Sequence, residues 1–283
     1  MEWSLEQFYD AYPQIEEEFS AALDESLHPR GPGQLLDLVA GMGLPPGTVA
    51  LDVGCGEGGH AFELRRRFGF HVTGIDPVHR HLESARAAAG EDGPVFTPGT
   101  AEDIPAGPGT ADLVWCRDVL GHSPDLPRAY TEFRRVLRPG GRALIYQMFA
   151  TELLEPREAA WLFTAMGVVP ANADPAHAEA AIGAAGLRID QRIASTEWGE
   201  WAHEHNGHGG RKLLHAARLR RDPARYIDRF GQAAYDTMLG DCLWHIYALI
   251  GKLSRRIYLL SSPDTKPNAS TTAPPAKNVA TGT

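Results

Sequence analysis

The stretch VALDVGCGEGGHAFELRRRFGFHVTGIDP, Val49 to Pro77, contains Gly54-x-Gly56-x-x-Gly59, a spacing that turns a strand into a helix around a ligand. Glycine lets the backbone approach closely, and helix N-terminal N–H groups can then face the ligand. The loop also carries two carboxylates, Asp52 before the first glycine and Glu57 inside it. At short range they repel a pyrophosphate and attract a cation. S-adenosylmethionine bears an ammonium and a sulfonium, and its single carboxylate can still use backbone N–H groups. Asp76, about 20 residues after the glycines, ends the next strand, where an acid accepts hydrogen bonds from ribose hydroxyls. That placement serves a dinucleotide equally well and points only to a nucleoside.

These residues need a scaffold, and the surrounding pattern supplies one. VALDVG is a short apolar run ending in glycine, AFELRRRFG a helix closed by Gly69, HVTGIDP a strand and VHRHLESARAAAG a helix. PVFTPG and ADLVWCRD read as strands, LPRAYTEFRRVLRPGG as a helix with a glycine stop, and RALIYQMF as a strand. PAHAEAAIGAAG follows as helix, LRIDQRIAS as strand and RRIYLLS as a final strand. Strands alternating with helices predict an α/β fold with a doubly wound, mostly parallel sheet.

The expected organisation is an N-terminal helical segment over 1–45, a Rossmann-like core over 46–195, a helical cap insertion over 196–254, a final core strand over 255–261 and a disordered tail over 262–283. Residues 3 to 26 space their apolar side chains as an amphipathic helix, and a second helix spans Gln34 to Met42. The segment before the last strand is too long for an ordinary connection and is rich in helical pattern. Its place suggests a cap over the carboxyl ends of the strands, where ligands sit in open α/β sheets. The tail is Pro, Ser, Thr, Ala and Asn with almost nothing to bury.

The 283 residues carry a formal charge of -9, which disfavours nucleic acid and anionic membranes as partners and leaves a small molecule, with a homo-oligomer possible. Cys55, Cys116 and Cys242 form no CxxC pair, so neither a disulfide framework nor a cysteine zinc site is indicated, and a reducing cytoplasm fits. The longest apolar stretch, near Leu243 to Ile250, is too short to span a membrane.

LDVGCGEG (51–58), GIDP (74–77), GTAEDIP (99–105), ADLVWCRDVLGH (111–122) and RRVLRPGGRALI (134–145) resemble, in order and spacing, class I S-adenosylmethionine-dependent methyltransferases that act on small molecules and quinones. The resemblance is specific over residues 45 to 150. It implies that Asp52, Gly54, Cys55 and Gly56 line the methionine end of the cofactor, Asp76 binds the ribose and Pro77 packs near the adenine. It further implies that Ala101 and Glu102 meet the adenine edge, with Asp103 as the other candidate acid, and that Cys116 and Arg117 border the methionine moiety. His122 matches a histidine that commonly follows the fourth strand. Thr100 stands where relatives often have an acid, which leaves the adenine contact to Glu102 or Asp103.

Methyl transfer is an in-line displacement in which protein mainly positions the nucleophile and excludes water, so a base is optional. His122 is the first candidate base, or else a structural histidine bonding loop backbone. STEWGEWAHEHNGHGGRK offers Glu197, Glu200 and His203 as further catalytic candidates, and Trp198, Trp201, His205 and Asn206 as a substrate wall, unless it is a solvated connection. His203, His205 and His208 lack the accompanying acid or cysteine pattern of a metal site, and no metal is expected. Tyr9 and Tyr12 either close over the bound molecules or staple the first helix. Arg211, Lys212, Arg218, Arg220, Arg221 and Arg225 either hold an anionic substrate group or form a solvated helix face. Trp244, Tyr247 and Ile250 make a helical stripe that reads as core.

The sequence therefore predicts transfer of a methyl group from S-adenosylmethionine to an oxygen, nitrogen or carbon of a small molecule, leaving S-adenosyl-L-homocysteine. Three alternatives stay open: an enzyme of the same fold that binds the cofactor without methylating, such as a cyclase; an NAD-dependent oxidoreductase; and a non-catalytic cofactor-binding subunit.

Overall fold

A computed structural model describes residues 18, 34–195 and 208–263. Helix α1 (Gln34–Gly41) leads into β1 (Val49–Val53), α2 (Gly59–Phe68), β2 (His71–Asp76), α3 (His79–Ala88), β3 (Val95–Pro98) and β4 (Ala111–Arg117). Then follow α4 (Leu126–Val136), β5 (Leu137–Ala150), α5 (Pro156–Met166), α6 (Pro175–Ala184) and β6 (Arg188–Ser195). Helices α7 (His208–Arg221), α8 (Pro223–Phe230) and α9 (Gln232–Leu249) precede β7 (Leu253–Ser261).

The seven strands form one sheet in the order β3-β2-β1-β4-β5-β7-β6. Strands β1 to β5 pair in parallel, and β7 runs antiparallel to both β5 and β6. Strand order reverses between β1 and β4, and a crevice opens at such a switch point beyond the carboxyl ends of the strands. The central strands are buried on both faces, which is why VALDVG and ADLVWC read as nearly continuous apolar runs. One core cluster joins Val53, Val114, Cys116 and Ile145 to Tyr130 and Phe133 of α4. The opposite face packs Trp115, Leu144 and Tyr146 with residues of α1, α2 and α3. A third cluster joins Met148 and Leu253 to α5, α7 and α9.

Four elements differ from the expectations. The helix read through LRPGG ends at Val136, before its glycines. Proline disfavours a helical conformation at Arg138, and Leu137 is extended and paired with Ala111. The RPGG segment instead holds the end of β7: Gly140 N–H donates to Ser262 O at 3.1 Å and Ser262 N–H to Gly141 O at 2.9 Å, so Ser262, expected in the tail, continues the pairing of β7 with β5. Helix α5 went unread, although Glu155 and Glu158 cap its start reciprocally and Pro156 opens it. In the insertion, DPARYIDRFGQAAYDTML reads as one helix and DCLWHIYALIGKL as another, yet Gly231 (φ 85°) separates α8 from α9 inside the first, and α9 continues through Gly240. A Cβ on Gly240 would lie 3.0 Å from the Met166 sulfur and 3.1 Å from Ala165 Cβ, so that glycine serves close packing and not a break. The last strand starts two residues earlier than read, at Leu253. Ile250 of the expected core stripe is 55% exposed, while Tyr247 is buried. Apart from Glu18, the helix expected over 3–26 lies outside the described residues, as do tail residues 264–283.

No helix among the described residues is long and apolar enough to cross a membrane.

Candidate active site

The glycine loop is built from its own polar groups. Gly54 and Cys55 N–H both donate to Ile75 O, at 2.7 and 3.0 Å, which ties the loop to the end of β2. Gly56 N–H donates to Asp76 Oδ2 at 2.9 Å, Val78 N–H to Asp76 Oδ1 at 2.9 Å, and His81 Nδ1 lies 3.2 Å from the same oxygen. Asp76 thus braces the loop against the start of α3. Its remaining lone pairs are what a ribose hydroxyl would use. A Cβ built on Gly56 would meet nothing within 4 Å, so open space adjoins the loop there.

The two loop carboxylates separate. Glu57 is exposed and faces Arg80 at 4.0 Å, so the cation argument made from both acids rests on Asp52 alone. Asp52 is 2% exposed. One side of its carboxyl takes the Ala61 N–H at the start of α2, and Oδ2 has no hydrogen-bond partner among the described residues. Burial pushes its pKa up to about 7 against the pull of the Ala61 N–H, with Asp76 repelling and Arg117 attracting the charge. A buried acid with an unsatisfied oxygen beneath a glycine loop fits a cationic ligand group. Burial also raises the thiol pKa of Cys116, and that of Cys55 to about 12, so both are neutral thiols, and Cys116 lies wholly within the core.

His60 was not singled out from the sequence, yet it joins this group. It is the second residue of α2, its ring 5.1 Å from that of Trp115, and burial with Arg117 pushes its pKa down to about 4. It is therefore neutral at physiological pH. Its position directly after the last loop glycines was the available signal.

At the end of β4, Arg117 lies 5.5 Å from the centroid of the Tyr146 ring, its pairing partner on β5. Asp118 follows with φ 61°, an uncommon conformation for a residue with a side chain, and its N–H donates to Tyr146 O at 2.9 Å. Its side chain is accessible yet surrounded by protein closely enough that burial raises its pKa, as expected for a cleft wall. A short 3-10 turn, Leu120–His122, then presents His122. Its Nδ1 lies 2.9 Å from Gly167 O, so Nδ1–H donates and Nε2 keeps its lone pair. The turn is held from behind by Asn172, whose side-chain amide donates to Leu120 O at 2.9 Å and Ser123 O at 2.7 Å. Asn172 is buried, and Leu120 O also accepts from the Ser123 N–H at 3.3 Å, so Asn172→Ala strips Ser123 O of its side-chain donor and weakens the hold on Leu120 O, which should cost about 1–3 kcal/mol in denaturant unfolding.

Of the residues that the resemblance assigns to the adenine, Pro77 is exposed and Ala101 is buried in the core, while Thr100 and Asp103 form a backbone bridge. Glu102 accepts a hydrogen bond from Ser123 Oγ, next to His122, while Asp103 is exposed. In the insertion, Lys212 pairs with Asp241 of α9, and Arg211, Arg218, Arg220, Arg221 and Arg225 are exposed. Tyr9, Tyr12, Glu197, Trp198, Glu200, Trp201, His203, His205 and Asn206 lie outside the described residues.

Residues 51–145 match the family model described as a methyltransferase domain. A sterol 24-C-methyltransferase of Gibberella zeae is 34% identical over 122 residues, covering 42% of this chain and 32% of that protein. The 27-O-demethylrifamycin SV methyltransferase of Amycolatopsis mediterranei is 35% identical over 128 residues, covering 44% and 45%. These matches thus span less than half of either relative. In structure, a putative sarcosine dimethylglycine methyltransferase from Galdieria sulphuraria aligns with a TM-score of 0.63 at 19% identity, covering 81% of this chain and 84% of that one. The [4+2]-cyclase SpnF aligns with a TM-score of 0.62 at 23% identity, covering 81% and 80%.

Proposed function

We propose that this chain, whose residues 51–145 match a methyltransferase domain, transfers a methyl group from S-adenosylmethionine to an oxygen, nitrogen or carbon of a small molecule in specialised metabolism. The observation that carries the reading is Asp52, a buried carboxylate with an unsatisfied oxygen under the glycine loop at the switch point of the sheet. Asp52, Gly54, Cys55 and Gly56 would hold the methionine end, Asp76 the ribose, and Ala101 with Glu102 or Asp103 the adenine edge. When bound, S-adenosylmethionine supplies an electrophilic methyl carbon on a sulfonium and leaves as S-adenosyl-L-homocysteine. The chain's own work is to position the acceptor against that carbon and keep water out. His122, fixed by Gly167 O, offers Nε2 to accept a proton from the acceptor. The helices between β6 and β7 act as the cap that encloses the acceptor.

Calorimetric titration with S-adenosylmethionine, S-adenosylhomocysteine and NADH tests the cofactor. Binding of the first two and not the third is expected, and NADH alone would replace this reading with an oxidoreductase. With an acceptor in hand, His122→Ala should lower kcat by about 10²-fold or more at unchanged cofactor affinity. Unchanged kcat would leave the histidine a purely structural role.

The fold is also that of a [4+2]-cyclase, which favours keeping one second reading, cofactor binding without methylation. Mass analysis of the products distinguishes the two: a methylated acceptor with S-adenosylhomocysteine, or a rearranged product with the cofactor unconsumed.

A further inference from the structure

The insertion between β6 and β7 leaves a cavity of about 470 Å³ among α7, α8 and α9, a size that suits one small organic molecule. Leu219 of α7, Tyr226 and Phe230 of α8, and Ala234, Tyr235 and Met238 of α9 make a lining that is almost wholly apolar. Local sequence builds this space. Asp222 caps α8 by accepting from Arg225 N–H at 3.3 Å, Pro223 opens the helix, and Gly231 lets the chain turn back into α9. Two polar ties then hold α7 against α9: the Lys212–Asp241 ion pair, and the Tyr235 hydroxyl donating to Leu219 O at 3.3 Å. Helix α8 is strongly amphipathic, yet none of its residues is buried, and Phe230 is 58% exposed. Its apolar side borders a space that the described residues do not fill.

Size and chemistry select the occupant. The apolar surface exposed in the cavity is far below the roughly 800 Å² per partner of a stable protein interface, which favours a small molecule over a second copy of the chain. With few polar atoms to replace lost water, the lining disfavours a charged group, and its three aromatic walls suit ring carbon.

The cavity also lies on the crevice side of α9. Ala234, Met238, Asp241 and His245 follow at i, i+4, i+7 and i+11 and so share one helix face. On the other face Leu239 and Leu243 are core residues and Gly240 packs against α5. His245 is near enough to Asp118 for its positive form to act on that acid, which turns this face toward the carboxyl end of β4. From Met238 to His245 the helix rises about 10 Å.

We propose that the cavity between α7, α8 and α9 receives an uncharged ring portion of the acceptor, which makes the acceptor an elongated molecule, mostly ring carbon at one end, whose other end reaches the crevice. The assignment to the acceptor rests on the methyltransferase reading, whereas the ring site stands without it.

Calorimetric titration of the full chain with β-naphthol tests the site. One molecule should bind, with the same affinity when S-adenosylhomocysteine is saturating. Ala234→Phe puts a ring into the cavity from an exposed position, so it should weaken β-naphthol about tenfold or more while Tm stays equal to or above that of wild type. Phe230→Ala removes a wall ring and should weaken it too, and Ala217→Phe, at an exposed position of α7 outside the lining, should not. With an acceptor in hand, Ala234→Phe should lower kcat/KM about tenfold or more through KM. No binding of β-naphthol by wild type, equal binding in Ala234→Phe, or an unchanged KM for the acceptor overturns the proposal. Displacement of β-naphthol by S-adenosylhomocysteine also overturns it, because the ring would then sit in the cofactor crevice. So does a concentration-dependent dimer that Ala234→Phe abolishes, because a second copy would then fill the space. Failure of wild type to bind S-adenosylhomocysteine would count against the methyltransferase reading, while the β-naphthol series still decides the ring site.

Discussion

Gly54→Val abolishes binding of S-adenosylmethionine, read as loss of the calorimetric signal at concentrations that saturate the wild type. Gly54 has φ 75°, where a β-branched residue is a genuine outlier costing roughly 1–2 kcal/mol. The larger effect is steric. A Cβ at this position would lie 2.0 Å from Val119 Cγ2 and 2.9 Å from Val119 Cβ, so the loop and the segment after β4 must part. The sequence alone suggests that a side chain here would block the cofactor directly. In the structure the blockade acts through Val119, and it displaces both walls of the crevice at once: the Gly54 and Cys55 N–H bonds to Ile75 O on one side, and the turn that carries His122 on the other. Overpacking of this kind costs about 1–3 kcal/mol, so the protein should remain folded with a lower Tm. Gly54→Ala meets the same Val119 atoms through its Cβ, and Gly54→Ala combined with Val119→Ala should recover part of the binding. Retained wild-type affinity in Gly54→Val would mean that this loop does not shape the cofactor site.

What the sequence disclosed follows from how local each signal is. Alternating strands and helices, the glycine turn and the acid ending β2 are written in contiguous residues, so sheet class and the cofactor end of the crevice were legible. Helix α5 was missed because its cap is a glutamate pair in place of the usual Ser or Thr. The helix read through LRPGG failed because burial of Leu137 and the constraint from Pro139 outweigh a glycine stop. Glu57 and Asp52 look alike in a string of letters, yet strand geometry buries one and leaves the other facing Arg80. Residues that meet only through strand register, such as Arg255 and Arg117 around Tyr146, lie 138 positions apart and leave no local trace.

Asp52→Asn should stabilise the cofactor-free protein above neutral pH while weakening the cofactor. The sign follows from the shift. Burial raises the pKa of Asp52 from 3.8 to about 7, so between these values the folded state holds a proton that the unfolded chain has released. Stability contributed by this group therefore falls as pH rises through that window, by an upper bound of about 4 kcal/mol. Asparagine carries no charge to bury and keeps an oxygen for the Ala61 N–H. Its Tm should exceed that of the wild type by several degrees at pH 8 and match it near pH 4. Cofactor affinity should move the other way. A cation beside Oδ2 requires the ionised acid, so wild-type affinity weakens up to about tenfold per pH unit below 7, whereas Asp52→Asn binds at least about tenfold more weakly at pH 8 and shows no such slope. The buried carboxylate is thus a destabilising group retained for what it holds. A variant that gains no stability at pH 8, or that binds S-adenosylmethionine as tightly as wild type, would show that the charge at Asp52 is neither the cost nor the anchor.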